Sequence, residues 1–544
     1  MDKSGRKLFN FRPVFFLAVF LCLGILFAYF LVVYDVSAWW GVSLFPVLGA
    51  SFFLCKDGAG TKRTALACLS LVLAFLVGTG VFVLQIRSFI GAGSYDGNGV
   101  VVGTVVDKVD HNGQTMLVLN DLYVNGKEED GRMKAYFLTG VCKEIMLCDE
   151  VVVEGCIKTQ TSLTDGYGFR ADAISDDVRF ALENGTSCIK GDENFNLFLF
   201  VRQRVETVLF TGMDETSAGV CMAVLTGNRT GIDGALMSNM QYGGIAHIFA
   251  VSGLHVGALY AFCLLLFTKT PLRKTPKPAR FILLFFLLFF YAGVCGFSAS
   301  VLRATVLCLT SYFALLLGIA DDGLETVGLA CIFVLLISPC YLFETGFQLS
   351  FLACLGILLL KRRIGQVCDE ICFRVGRVFL KEQETDEKAD DEDAPPSLAE
   401  GVRRGIVSFL SASLSAQIMT APVLLSSFGY LSTLALFLNC IFVPFIGATF
   451  AILLLFVVVS ACLPLVCAPI LLYLPSVLWA VVLLIFELID FSAFLWTGRL
   501  GLGGILAYYG ACVFLTDKWN LSKGLRLGLV LACFSVFVIG VLVI

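Results

Sequence analysis

Two of the three histidines in the chain, His247 and His255, lie in the string Ala246-His247-Ile248-Phe249-Ala250-Val251-Ser252-Gly253-Leu254-His255-Val256-Gly257. The surrounding stretch, residues 234–268, holds no Asp, Glu, Lys or Arg. Polar side chains at membrane depth are costly and usually face a bundle interior or a pathway. The pair therefore has two readings of equal weight: imidazoles that bond backbone carbonyls at an interface, or groups that line a polar path. Ser252, three residues before His255, adds a third chemistry, a serine nucleophile with a histidine base. Intramembrane hydrolases usually bring these two residues from different spans, and no oxyanion donors can be nominated here. Further polar residues recur in apolar surroundings: Arg303, Glu344, Gln348, Gln417 and Asn439. Arg303 and Glu344 each open an apolar run, and an ion pair between them would lower the cost of both charges. Gln348 lies one turn beyond Glu344 and faces the same side. These groups either line a narrow wet path or hold helices together by hydrogen bonds. Glu487 and Asp490, near Trp496 and Arg499, read as an ordinary interface pair.

The elements that must position these residues are membrane helices. Apolar residues make up 58% of the 544 and charged residues 15%, which points to a bilayer as solvent. A spanning helix needs about 20 mostly apolar residues, and residues 14–33, 36–55, 64–86 and 281–302 carry no charge at all. Residues 405–486 form one uncharged tract long enough for three or more spans, and about a dozen spans are expected overall. The first span, preceded by Lys3, Arg6, Lys7 and Arg12, has too long an apolar core for a signal peptide and no cleavage site, so it reads as a retained anchor. Basic loops stay cytoplasmic. The basic N-terminus, the cluster Lys56, Lys62 and Arg63, the cluster Lys269 to Arg280, and Lys361 to Arg363 agree in parity. The N-terminus is expected inside, and residues 91–213 outside. Residues 234–268 are too long for one upright span and are interrupted by Gly243-Gly244 and Ser252-Gly253. A broken or re-entrant helix is expected there, and irregular backbone at such depth requires surrounding protein or a wet cavity.

Between residues 94 and 190 the pattern shifts to short alternating strands, residues 100–106, 115–119, 133–138 and 151–157, with turn signals at Asn112-Gly113, Asn125-Gly126 and Asn184-Gly185. The expected fold is a polytopic α-helical membrane protein with an inserted all-β, OB-like extracytoplasmic domain; an unrelated β-sandwich is the alternative. The expected divisions are 1–90, N-terminal helices; 91–190, β domain; 191–233, interfacial amphipathic helices; 234–361, helical core; 362–404, charged cytoplasmic linker; and 405–544, C-terminal helices. In the β domain 16 acidic and 9 basic residues leave a net charge of −7. That is unfavourable for nucleic acid unless one face gathers Arg132, Lys134, Arg170 and Arg179 near Tyr136, Phe137 and Tyr167. Cys142, Cys148, Cys156 and Cys188 fall in the segment expected outside, where at least one pair is expected to oxidise; the pairing cannot be deduced from sequence. The acidic run from Glu382 to Asp393 reads as a solvated linker.

The string from Ala246 to Gly257 resembles the hallmark of the ComEC competence family. Ala218-Gly219, Leu225 to Arg229, Ser300 to Ala304, Gly346 to Ala353, Gln417 to Pro422, Phe428-Gly429 and Asn439 to Pro444 are similar to further family elements in the same order. The resemblance implies a bacterial cytoplasmic-membrane channel for uptake of single-stranded DNA during transformation. It also implies partner proteins that deliver and pull the strand; whether the chain acts as a homo-oligomer is left open by the sequence. Many family members carry a C-terminal metallo-β-lactamase-like domain; here the sequence ends in an apolar run, and three histidines provide no zinc hydrolase site. No cofactor or metal is expected, the chain is expected not to be an enzyme, and any strand degradation falls to a separate nuclease. No phosphate-binding G-x-x-x-x-G-K motif supplies ATP hydrolysis. The alternatives are an intramembrane serine hydrolase built on Ser252 and His255, or a transporter of another polar polymer.

Overall fold

The computed structural model describes residues 12–33, 61–91, 93–111, 114–138, 140–142, 145–147, 149–165, 168–193, 196–228, 231–245, 247, 253–318, 322–379, 398–498 and 502–515. Helix α1 (Pro13–Val33) packs along α2 (Thr61–Ile90) through two glycines. A Cβ at Gly24 would lie 2.1 Å from the carbonyl oxygen of Phe75, and one at Gly78 would lie 2.3 Å from that of Leu21. The absence of side chains therefore lets the backbones touch, as small residues do between membrane helices. Thr79 closes the crossing by donating to the carbonyls of Gly24 and Phe75 at 3.1 and 3.0 Å.

The chain then builds a sheet from β1 (Asp96–His111), β2 (Gln114–Val124), β3 (Lys127–Glu129), β4 (Arg132–Leu138), β5 (Asp149–Thr159) and β8 (Val178–Glu193), with β6 (Thr164–Asp165) and β7 (Gly168–Phe169) as a separate two-stranded ribbon. The order is β1-β5-β8-β4-β2-β3, and β1 also pairs with β2, so the sheet closes into a barrel. Its one parallel pair is β4 with β8, the connectivity of the expected OB-like barrel. Alternation sends Val101, Leu117, Leu119, Met133, Val151, Val153 and Phe180 inward as the barrel core. The Asn125-Gly126 turn forms as expected, with φ of 51° and 83°. Asn184-Gly185 does not turn. It stays within β8, where Asn184 takes φ 52° and the register against β4 and β5 shifts. A bulge there bends the strand so that the barrel can close, and Gly185 leaves room for the Phe137 ring.

The remaining helices are α3 (Ala171–Ser175), α4 (Leu197–Gly212), α5 (Glu215–Thr226), α6 (Gly234–Tyr242), α7 (Gly253–Lys269), α8 (Lys277–Val294), α9 (Ala299–Leu317), α10 (Gly323–Ile337), α11 (Thr345–Phe379), α12 (Leu398–Phe428), α13 (Ala435–Cys462), α14 (Ala468–Leu488) and α15 (Leu502–Leu515). Seven described helices are long and apolar enough to cross a membrane, and α7 and α10 are shorter apolar helices. Residues 36–55, read as a span from sequence, and the apolar run 527–544 lie outside the described residues. The chain is a membrane protein.

Residues 234–268 are broken as expected, into α6 and α7. The expected interfacial helix forms as α4, capped by Asn196, but it is wedged between barrel and helices. Arg202 donates to Asp107 of β1 at 3.0 Å, and Arg204 donates to the carbonyl of Ala461 at 3.3 Å. The barrel has a second seat through α3, which lies against the 3-10 turn Pro339–Phe343 just before α11.

Candidate functional site

The polar residues singled out from sequence are spread over several helices: His255 on α7, Arg303 on α9, Glu344 and Gln348 at the head of α11, Gln417 on α12 and Asn439 on α13. His255 sits in the first turn of α7, fully buried, its ring 4.8 Å from that of Phe450 on α13. His247 lies in the irregular link between α6 and α7 and acts electrostatically on His255. By surface area His247 is exposed. Ser252 lies outside the described residues.

Arg303, one turn into α9, is among the largest fully buried side chains, at 2% exposure. Its Nη2 donates to the carbonyl of Gly346 at 3.2 Å, and its guanidinium carbon lies 5.6 and 5.4 Å from the ring centres of Phe347 and Phe351. Nε and Nη1 are buried with no partner among the described residues. The ion pair with Glu344 anticipated from sequence does not form. Glu344 instead accepts a hydrogen bond from Ser175 of α3, because α11 begins beside Arg303 and offers it the Gly346 carbonyl. Burial pushes the Glu344 carboxyl up to about 7, and neighbouring Asp172 and Asp176 add to the effect.

Gln348 is spent locally, donating to the carbonyl of Leu342 at 3.0 Å. Gln417 reaches Ser413 on its own helix at 3.5 Å. The amide oxygen of Asn439, near the start of α13, is buried without a partner among the described residues. Asp490 caps its own turn by accepting from the backbone of Ser492 at 2.9 Å.

A family model described as "Competence protein" matches residues 224–521, a span that contains all of these core residues. The chain belongs to the competence protein family. It is also 28% identical over 262 residues to ComE operon protein 3 of Bacillus subtilis (strain 168), covering 48% of this chain and 29% of that relative. The chain thus matches less than a third of that relative's length. No solved structure matches it.

In this competence protein the β-barrel precedes the matched region, and its four nominated cations divide. Arg170 is consumed by Gln160, donating to its carbonyl at 3.0 Å and its side chain at 2.7 Å. Arg179 is buried against Asp177, with Nη2 also reaching Ser88 of α2. Arg132 and Lys134 alternate with buried Met133 and Ala135 on β4, so they share its outward face with Tyr136. Among the cysteines, Cys142 and Cys188 meet: their thiols hydrogen-bond, which together with burial pushes the Cys188 thiol strongly up. Cys142, Cys156 and Cys188 all stand as thiols here, and Cys148 lies outside the described residues.

Two contributors were not singled out from sequence. Asn239 on α6 donates to the carbonyls of Phe486 and Ile489 at 2.5 and 2.7 Å and accepts from the backbone of Phe491, so one side chain binds the unwinding end of α14. Gln85 of α2 donates to Ser338 at 2.9 Å and accepts from the backbone of Cys340 at 3.2 Å, which pins the turn beneath α3. A polar residue within an apolar run was the available signal for Gln85; Asn239 lies in a mixed segment that carries no such contrast.

Proposed function

We propose that this protein is a conduit for single-stranded DNA across the cytoplasmic membrane during transformation, with the N-terminus inside and the β-barrel outside. Arg303 carries this reading. A guanidinium buried in a membrane helix with two unpartnered nitrogens costs up to about 3 kcal/mol and is seldom kept without a path or partner. Its planar fork suits a phosphate, and the flanking Phe347 and Phe351 are ring faces of the kind that bases stack on. Arg303 packs directly on Gly346, Phe347 and Phe351, so on this reading α9 and the head of α11 part to admit the strand. His247, in the link before α7, and buried His255, in the first turn of α7, extend the polar route. The proposal includes partner proteins that deliver and pull the strand, and a separate nuclease for any degradation, with no catalysis by this chain. Replacing His255 or Arg303 by Ala tests it: DNA entry should be lost while membrane insertion and surface capture of DNA persist. Normal entry in either variant at wild-type abundance refutes the path.

A further inference from the structure

We propose that the seam between the β-barrel and the helical core, where Ser175 of α3 meets Glu344 at the head of α11, is a proton-controlled latch. It holds the barrel down while Glu344 is protonated and loosens when Glu344 ionises.

The two barrel seats differ in charge. At α4, cationic Arg202 faces anionic Asp107, a pairing that ionisation favours, with Glu206 beside it on the same helix. At α3, acid faces acid. Asp172 and Asp176 on the barrel side both act on Glu344 on the core side. The cations nearby are only partly engaged: Arg303 of α9 attracts Glu344 but is bonded to Gly346, while Arg132 and Lys134 of β4 act on Asp176. Tyr341 and Cys340, from the turn beneath, are neutral groups on which Glu344 acts. Two hydrogen bonds also tie the seam: Ser175 donates to Glu344, a contact that favours the ionised form but is outweighed by burial, and Gln85 donates to the carbonyl of Ile174 at 3.5 Å. A protonated Glu344 keeps the Ser175 contact and removes the repulsion; an ionised one sets three carboxylates against one another in a partly desolvated seam.

The direction follows from linkage. With the barrel seated, the Glu344 carboxyl stands at about 7 against the ordinary 4.5, burial being the first cause, and on this proposal opening the seam to water returns it toward the ordinary value, so the docked state holds the proton more tightly. Docking is strongest below pH 4.5, weakens as pH rises through the interval to about 7, and is weakest above it. The expected loss across that interval is roughly ten- to a hundredfold in the docking equilibrium, because partial solvent contact screens the carboxylate. Loosening lets the barrel pivot on the α4 seat and uncovers the head of α11, next to the Gly346 carbonyl that holds Arg303. The latch rests on the seam alone and stands whether or not the conduit carries DNA.

Hydrogen–deuterium exchange on the full chain in lipid nanodiscs, at about pH 5.5 and about pH 8 and corrected for intrinsic rates, tests it. The reporters are the α3 amides, including Ile174 bonded to Arg170 and Asp176 bonded to Asp172; β5 is the internal reference. In the wild type, protection of α3 should fall roughly tenfold or more at the higher pH while β5 holds. Glu344→Gln should keep acid-level protection at both values, and Ser175→Ala should lower it at both. Equal α3 protection at the two pH values in the wild type, or a Glu344→Gln variant that tracks the wild type, overturns the latch. Should β5 protection be lost in Glu344→Gln, Asp172→Asn provides the reading: a smaller pH-dependent loss supports the latch, and an unchanged one overturns it.

Discussion

Arg179 of the barrel and Arg303 of the helical core are almost equally shut off from solvent, at 8% and 2% exposure, yet they are held in opposite ways. Arg179 meets Asp177 with two nitrogens, at 2.7 and 3.1 Å, and spends another contact on Ser88. Among the described residues Arg303 has one carbonyl and two ring faces, with Nε and Nη1 unpartnered. A buried cation with its anion beside it is a structural part, and its loss strands the partner. A buried cation without one weakens the fold it sits in, so its presence calls for a task. The same contrast separates Arg170, absorbed by Gln160, from Arg132 and Lys134, which stay on the outward face of β4.

This contrast can be sharpened by experiment. The largest effect on stability is expected from the barrel cysteines. If Cys142 and Cys188 are oxidised in the native membrane, reduction should lower barrel stability by about 3 kcal/mol. Peptide mapping without reductant should find these two cysteines joined and Cys156 free; a Cys156 linkage contradicts the structure. Arg179→Ala comes next and should cost about 2 kcal/mol, moderated because Asp177 is partly exposed. Arg303→Ala should leave thermal stability unchanged or higher, and a loss matching that of Arg179→Ala would place Arg303 among the structural residues. Asn239→Ala should cost about 1 to 2 kcal/mol, because three backbone contacts at the end of α14 lose their partner. Exchange protection confined to that end reads it out.

Much of the barrel was legible in the sequence because alternation and turn chemistry act locally: the four strands read from alternation all form. Asn184-Gly185 misled because a left-handed Asn before Gly serves a bulge as well as a turn, and only closure of the barrel decides between them. The break between α6 and α7 was legible from paired glycines in an uncharged stretch. The partners of Glu344 and Arg303 were not, because pairing across distant elements depends on which carbonyl or hydroxyl the fold carries into reach. Ser175, which takes Glu344, belongs to a five-residue helix in the barrel that hydrophobic period does not mark. The identity of the core residues as a set was carried by the family motif rather than by their chemistry.

The central claim, that Arg303 serves passage rather than packing, is tested most directly by labelled DNA offered to cells carrying Arg303→Ala at wild-type abundance, with surface-bound and cytoplasmic label scored separately. The account predicts full surface binding and a loss of cytoplasmic entry of roughly a hundredfold or more, as expected when a charge-paired phosphate contact of about 3 kcal/mol is removed at a step every nucleotide must pass. Cytoplasmic label at the wild-type level would contradict it.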